Sequence, residues 1–163
     1  MNLPINKPLL ENVLLETINP KELLLDLKSK QFSGYIYLVI NDKFGFEENI
    51  LLFSKGDIFG CIYLNDFYNK QIYGERAFEL VKASFDKKDG LLSIYNLTND
   101  QVKLTLIFND KIKYVININK KSVQKMVFKY SEDYFKKVLN IKEEVDTKHS
   151  LLNKYQLNEL LEI

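Results

Sequence analysis

Two apolar runs, ILLFS and DIFGCIYL, are separated by only Lys55 and Gly56. Runs rich in β-branched and aromatic residues favour strands, and a two-residue connection that contains Gly is typical of a β-hairpin. The preceding run YIYLVI has the same character and begins directly after Gly34. The sequence therefore predicts a three-stranded antiparallel meander over residues 34–64, with a polar turn around residues 43–49.

Helix signals flank this meander. Asn19 is a favoured N-cap residue, Pro20 suits the first helical position, and Glu22 lies where a capping box needs it. These residues predict a helix over residues 20–30, and Pro8 followed by LLENVLLE permits a shorter one before it. After a polar loop over residues 65–72, another helix is expected to begin at Gly74-Glu75 and to end before Asp89-Gly90.

The rest of the chain continues the alternation of strand and helix patterns. LLSIYNL and VKLTLIF are predicted to be strands joined by a turn at Thr98 to Gln101, and KYVINI permits one more strand. A helical pattern covers residues 120–141, and Ser131 permits a break into two helices. The expected fold is α+β, with an antiparallel sheet of five or six strands built as β-meander, helix and β-hairpin, an N-terminal helix and a helical C-terminal extension.

Charge divides the chain into three segments, although its net charge is only +1. Residues 1–118 are predicted to form the α+β domain, and residues 119–142 a basic amphipathic extension. Residues 111–142 carry nine Lys against two acidic residues. Residues 143–163, with two Lys against five acidic residues, read as an acidic linker and a leucine-rich tail.

Two sets of side chains are candidates for an interaction surface. The lysines of the extension recur on one side of the predicted helix, and the tail is too short to be stable as an isolated helix, so it is expected to dock on its own domain or on a partner. The basic candidates are Lys121, Lys125, Lys129 and Lys136, and the tail candidates are Leu151, Leu152, Tyr155, Leu160 and Leu161.

No residue pattern in the chain names a reaction. The chain has one Cys, Cys61, and one His, His149, which are too few for the three or four ligands of a typical zinc site. In the strand interpretation Cys61 is a small packing residue, and Gly60 marks a bulge or the close approach of another backbone. The pair Glu47-Glu48 is interpreted as solvated turn residues. We therefore expect no catalytic residue, no metal and no cofactor.

Two features bear on where the protein acts. No apolar run approaches the roughly 18 to 20 residues that a membrane-spanning helix needs. The single Cys is consistent with a reducing compartment. We expect a cytoplasmic protein without a membrane span.

The order of these segments resembles a known domain. The series ELLLDLKSKQ, FSGYIYL, ILLFSKGDIFGCIY, YGERAFELV and DGLLSIYNL is similar to the PATAN-type domain, a small α+β module of prokaryotic signalling proteins, and to a related family of uncharacterised archaeal proteins. The resemblance covers residues 18–97 and lies in fold-determining positions such as Gly34, Gly56, Gly74 and Glu75. It implies a protein-interaction or scaffold module associated with receiver domains and GTPase-type switches.

The leading functional hypothesis is a non-catalytic cytoplasmic protein-interaction or scaffold module. Its partner would be another protein or a second copy of the chain, and the tail or an exposed apolar face of the sheet would carry the contact. The alternative is nucleic-acid binding through residues 111–142. This alternative is weaker because the segment contains no Arg, the residue best suited to bidentate phosphate and base contacts.

Overall fold

The computed structural model of the protein describes residues 3–140. This part of the chain contains one antiparallel sheet of seven strands and five α-helices. The strands are β1 (Pro8–Leu14), β2 (Gly34–Asp42), β3 (Gly45–Ser54), β4 (Asp57–Asn65), β5 (Lys70–Tyr73), β6 (Gly90–Asn96) and β7 (Lys113–Ile116), and the helices are α1 (Pro20–Ser29), α2 (Gly74–Ser84), α3 (Asn99–Phe108), α4 (Lys120–Lys125) and α5 (Glu132–Leu139). The α+β class and the antiparallel sheet are confirmed, and the expected five or six strands become seven.

The strand order in the sheet is β1-β6-β2-β3-β4-β5. β7 pairs with the first half of β4, so β5 and β7 share that edge. The predicted meander is formed by β2, β3 and β4. Lys55 and Gly56 have φ angles of 50° and 80°, as a tight turn between twisted strands requires.

The segment after Pro8 is a strand, and the expectation of a short helix there is wrong. β1 pairs antiparallel with β6, and its register shifts twice along its length. Leu10 and Val13 are both partly buried at a spacing of three, which fits a helical turn equally well. Asn12, at a φ of 52°, lies between them in the irregular part of the strand. The bulged backbone therefore produces the helix-like spacing.

VKLTLIF lies in α3, and the expectation of a strand and hairpin there is wrong. The Thr98 hydroxyl accepts a hydrogen bond from the Gln101 backbone N–H at 3.2 Å, and Gln101 Oε1 accepts one from the Thr98 N–H at 2.9 Å. This capping box satisfies two backbone donors at the helix start. Val102 and Thr105, three residues apart, are buried, whereas Leu104 is exposed. The residues of VKLTLIF that are buried therefore follow the spacing of a helix and not the alternation of its apolar residues.

Two loop predictions are also corrected. The polar turn expected around residues 43–49 is shorter, because β3 begins at Gly45. The loop expected over residues 65–72 ends in β5, which pairs with the last residues of β4. The KYVINI strand is confirmed as β7. In both corrected regions, pairing with a neighbouring strand outweighs the local polar composition.

The sheet separates two apolar clusters. The main core contains buried side chains of α1, α2 and α5 together with one face of the strands. The smaller cluster lies on the opposite face, where Val102 of α3 and Ile112 pack with Ile50, Leu52 and Ile62. Because strand side chains alternate between faces, β3 contributes to both clusters. α3 covers part of the sheet face that carries the smaller cluster. Another part of that face forms a groove.

The C-terminal extension packs on the main core and consists of two short helices. Val123 of α4 and Phe135 and Leu139 of α5 are buried in the main core. The break comes where Ser131 caps α5, and its hydroxyl accepts a hydrogen bond from the Tyr134 backbone N–H at 3.4 Å. The permitted break before α5 is confirmed, but the expected helix over residues 120–141 is wrong for residues 126–131, which are not helical.

Candidate functional site

A groove with a volume of about 530 Å³ lies on the sheet face that α3 partly covers. Its walls are mostly aromatic and polar, and its floor is made of aliphatic side chains from β3 and β4. The polar and aromatic wall residues are Tyr35, Tyr37, Glu48, Gln71, Tyr73 and Tyr95. We call this cavity the tyrosine groove.

Strand register assembles the groove from residues distant in sequence. Tyr35 in β2 lies opposite Tyr95 in β6, and the two rings stack with centroids 4.9 Å apart and planes inclined by 19°. Tyr37, two residues further along β2, lies on the same face and opposite Ile50 of β3. Glu48, two residues before Ile50, therefore joins the same wall.

The tyrosine hydroxyls form hydrogen bonds within and beside the groove. Tyr37 donates to Glu48 Oε1, Tyr73 donates to Gln71 Oε1 at 2.8 Å, and Tyr35 donates to the Pro4 carbonyl oxygen at 3.3 Å. Burial, then the hydrogen bond to Glu48, raises the pKa of Tyr37 above its ordinary value of 10.0. Burial likewise raises the pKa of Tyr35. At neutral pH these phenols are protonated and can bind polar groups without acting as nucleophiles.

Glu48 is the one charged residue that the described chain places in the wall of the groove. The Tyr37 hydroxyl donates to its carboxylate, and none of the ion pairs found over residues 3–140 contains it. Within the described part of the chain, neither Lys nor Arg lines the cavity. The groove therefore combines aromatic rings with one negative charge.

A cluster of charged residues lies on the other face of the sheet, inside the main core. Lys87 Nζ lies 2.5 Å from Glu47 Oε1 and 2.9 Å from Asp42 Oδ2. Its ammonium also lies 4.5 Å from the ring centroid of Phe135 and 4.9 Å from that of Tyr130. The side chains of Glu47 and Lys87 are 0% and 6% exposed. The expectation that Glu47 and Glu48 are solvated turn residues is wrong, because both lie in β3, where Glu47 is buried and Glu48 is half-buried.

Burial decides the electrostatics of this cluster. Desolvation raises the pKa of the Glu47 carboxyl, and the attraction of Lys87 opposes that shift. Lys87 follows α2 and Glu47 lies in β3, so their ion pair ties the end of the helix to the sheet. The Glu47 carboxylate and the Lys87 ammonium are closed to solvent. Their geometry therefore fits a structural role, which is to hold the end of α2 on the sheet, and not a reaction with a substrate.

Two polar side chains in this core lack hydrogen-bond partners among the described residues. Asn49, fully buried in β3, makes no hydrogen bond through either Oδ1 or Nδ2. The buried hydroxyl of Tyr130 also has none. An unsatisfied buried polar group costs about 1–3 kcal/mol. These residues mark the least favourable part of the packing.

The structure separates the basic residues named from the sequence. Lys121 and Lys125 are exposed on α4, and Lys129 is exposed in the extended segment before α5. Lys136 of α5 pairs with Glu132 at 3.1 Å. These side chains do not line the tyrosine groove. The tail candidates lie outside the described residues; they are Leu151, Leu152, Tyr155, Leu160 and Leu161.

The glycines named from the sequence hold strand and helix junctions. A Cβ on Gly56 would lie 2.6 Å from Lys28 Cα, so α1 packs directly on the β3–β4 turn. Gly60 pairs with Lys113 of β7, and a Cβ there would lie 3.1 Å from Ile112 Cγ1. Both alternatives considered for Gly60 are found: the β3–β4 register shifts between Gly60 and Ile58, and the Ile112 carbonyl oxygen would lie 3.3 Å from the added Cβ. Gly34 begins β2, and Gly74-Glu75 begins α2 as predicted.

Cys61 is fully buried, as the strand interpretation predicts. Burial raises the pKa of the thiol well above its ordinary value, which suppresses the reactive thiolate at neutral pH. His149 lies outside the described residues. Over residues 3–140, no three side chains of His, Cys, Asp or Glu are grouped so that they could hold a metal ion. In the same range, no helix has the length and apolar character needed to cross a membrane.

The groove is the part of the candidate site that sequence reasoning missed. The run YIYLVI was interpreted as an apolar strand, yet Tyr35 and Tyr37 alternate with the buried aliphatic residues Ile36 and Leu38. That alternation separates hydroxyl-bearing residues onto one face. This alternation is the feature of the sequence from which the amphipathic face of the groove could have been predicted.

Comparisons with known proteins give a family. A family model described as "Uncharacterized protein conserved in archaea (DUF2226)" matches residues 1–109. No curated protein and no solved structure matches the chain. The matched residues run from β1 to the end of α3 and include every wall residue of the tyrosine groove. The groove is therefore built within the part of the chain that defines the family.

Proposed function

The chain belongs to the archaeal family described as uncharacterized, and we propose that it is a non-catalytic protein-interaction module. In this proposal the tyrosine groove binds a segment of another protein. The observation that carries the proposal is the groove itself: a cavity of about 530 Å³, open on a sheet face, with four tyrosines in its wall. Its volume falls within the range of about 300–1,000 Å³ that is usual for binding sites.

The side chains of the groove suit recognition of a polypeptide segment. Tyrosine offers a large, rigid contact area and a polar tip at a small cost in conformational entropy. The floor contains Ile50, Ile62 and Leu64, which would pack against apolar side chains of the partner. Gln71 and the tyrosine hydroxyls could hydrogen-bond to backbone groups of a partner. The groove thus combines an aliphatic floor for apolar packing with polar side chains that provide specificity.

The described part of the chain supports a binding role more than catalysis. Cys61 is buried with a raised pKa, and the tyrosines with raised pKa values are protonated at neutral pH. The ion pair of Lys87 and Glu47 is closed to solvent. These observations favour a binding protein over an enzyme.

We extend the proposal to prokaryotic signalling or GTPase-linked regulation. Its support is the resemblance of residues 18–97 to PATAN-type modules, which the archaeal family match does not address. A cytoplasmic location also remains a prediction from the sequence. In signalling and in GTPase-linked regulation alike, the proposed partner is another protein. A second copy of this chain is the alternative occupant of the tyrosine groove.

A pair of matched variants tests the proposal. Gln71 is exposed in the wall of the groove, and Gln124 is exposed on α4, outside it. Gln71→Arg places a bulky cation in the groove, whereas Gln124→Arg makes the same chemical change elsewhere. Quantitative mass spectrometry of proteins retained from archaeal lysate would compare wild type with both variants.

A partner retained by wild type and Gln124→Arg but lost with Gln71→Arg supports the proposal. Binding of the purified partner should weaken in the same order. Proteins retained equally by all three chains, together with a wild type that stays monomeric at high concentration by light scattering, would overturn it. Circular dichroism melting of both variants checks that the fold is intact.

Nucleic-acid binding through residues 111–142 is the second candidate. Its support is the exposure of Lys121, Lys125 and Lys129, which do not form ion pairs with other described residues. The segment also contains Lys136, which is paired within α5.

A further inference from the structure

Neighbouring glutamates in β3 have different environments. Glu47 points into the main core and pairs with Lys87, while Glu48 lies on the opposite face in the wall of the tyrosine groove. None of the ion pairs of residues 3–140 neutralises Glu48. A carboxylate offers about four acceptor sites, and the Tyr37 hydroxyl occupies one of them. Glu48 therefore keeps acceptor capacity for a ligand.

The rings around Glu48 complement a positive charge. The face of a tyrosine ring attracts a cation through its quadrupole, and this attraction strengthens where water is partly excluded. Tyr35 is buried, and Tyr37, Tyr73 and Tyr95 are half-buried. The stacked pair Tyr35–Tyr95 lines the same cavity. Aromatic faces and one carboxylate are the two features that a buried organic cation requires.

We propose that the tyrosine groove recognises a Lys or Arg side chain in a basic segment of a partner protein. This inference rests on the proposed protein-interaction function and names the chemistry of the partner. The cation would meet Glu48 and the tyrosine rings, and the neighbouring residues of the segment would pack on Ile50, Ile62 and Leu64. Since no cationic side chain of residues 3–140 lines the groove, an acidic segment or a phosphate would find no counter-charge among them.

A substitution isolates the charge of Glu48. In Glu48→Gln the amide oxygen can still accept the hydrogen bond of Tyr37, so the fold should be retained while the negative charge is lost. Glu16→Gln is the matched control, because Glu16 is exposed and does not line the groove. A display library of short random peptides would be selected on the full wild-type chain.

The selected peptides should be enriched in Lys or Arg. Fluorescence anisotropy with labelled peptides should show that Glu48→Gln weakens binding by about tenfold to a hundredfold, the range expected for loss of a charge-assisted hydrogen bond. Glu16→Gln should bind as wild type does. Replacing the selected Lys by norleucine, which has no charge, should lower the affinity of wild type and have little effect on Glu48→Gln.

The remaining outcomes separate this inference from the proposed function. Peptides that bind the groove without a cationic residue, or that bind Glu48→Gln as tightly as wild type, would overturn the inference and leave the protein-interaction function standing. Failure to select any peptide whose binding Gln71→Arg abolishes would count against both. Self-association of wild type that Glu48→Gln abolishes would replace the partner by a second copy and overturn the inference as stated.

Discussion

Lys87 Nζ lies 2.5 Å from Glu47 Oε1 in the main core, although the two residues are 40 positions apart in the chain. Asp42 also contacts the ammonium, at 2.9 Å, so one cation faces two carboxylates. Phe135 of α5 lies over the same ammonium. The ion pair therefore joins β3, the segment after α2 and the C-terminal extension. Its loss should loosen all three elements.

Lys87→Met should lower the free energy of unfolding by about 3–5 kcal/mol. Methionine keeps the length of the side chain but leaves the carboxylates of Glu47 and Asp42 without their cation. Lys88→Met is the matched control, because Lys88 is exposed and next in sequence, and it should change stability little. Urea unfolding followed by circular dichroism measures both. Equal effects of the two variants would contradict the buried-pair interpretation.

Glu47 should make stability depend on pH. Burial raises its folded-state pKa above the ordinary value of 4.5, so the folded protein keeps a proton that the unfolded chain has already lost. Stability from this group is therefore greatest below that ordinary value and falls as the pH rises through the folded-state pKa. Glu47→Gln lacks this dependence. The unfolding free energy of wild type minus that of the variant should decrease as the pH rises from acidic to neutral.

The same urea titrations can contradict the predicted pH dependence of Glu47. A difference that increases with pH would mean that attraction by Lys87 outweighs burial and lowers the pKa of Glu47. Glu16→Gln is a useful reference. The substitution removes one exposed carboxylate and does not alter the core. Its pH dependence should follow that of wild type.

Local signals predicted the elements whose stability is decided locally. The N-cap and Pro at Asn19-Pro20 predicted α1, and the two-residue turn at Lys55-Gly56 predicted the β3–β4 hairpin. VKLTLIF alternates like a strand but forms a helix, because the capping box of Thr98 and Gln101 begins α3 there. β1 has the spacing of a helical turn because a bulged strand also buries residues three apart.

The candidate site could not be derived from local patterns. The groove requires β6 to lie beside β2, which brings Tyr95 onto Tyr35 across 60 positions of sequence. The burial of Glu47 requires Lys87 to come from the end of α2, and neither residue carries a local sign of that partner. Both features arise from strand order and helix placement, which depend on the whole chain.

Asn49→Leu should raise the free energy of unfolding by about 1–3 kcal/mol, because it removes buried polar atoms that lack partners and keeps the number of heavy atoms. Asn65→Leu is the matched control in β4. Asn65 is also buried, but its amide donates to the Phe44 carbonyl at 3.1 Å and accepts from the Tyr68 N–H at 3.0 Å. It should destabilise the protein. Thermal and urea unfolding would show whether the two variants move in opposite directions.

The second functional candidate predicts a salt-dependent affinity for nucleic acid. If the basic segment binds phosphates, affinity should fall steeply as salt rises from ~50 mM, because bound counterions are released. Replacing three exposed lysines by Glu should abolish that binding; they are Lys121, Lys125 and Lys129. Fluorescence anisotropy with labelled single- and double-stranded DNA and RNA measures it.

A charge-matched variant controls for the net charge of the protein. Reversing three exposed lysines outside the segment changes the total charge equally; they are Lys7, Lys55 and Lys88. Loss of binding only with the first variant would support the nucleic-acid function. The leading proposal expects no binding by wild type at ~50 mM salt, and that result would remove this candidate.

Gly60→Ala should destabilise the protein by about 1–3 kcal/mol. The added Cβ would lie 3.1 Å from Ile112 Cγ1, 3.3 Å from its Cδ1 and 3.3 Å from its carbonyl oxygen, so the chain before β7 would have to shift. Ile112→Val removes the Cδ1 atom and should recover part of that loss. In a double-mutant cycle measured by urea unfolding, the combined variant should therefore be more stable than the sum of the single effects predicts. Additive effects would show that the Ile112 side chain does not limit the space at Gly60.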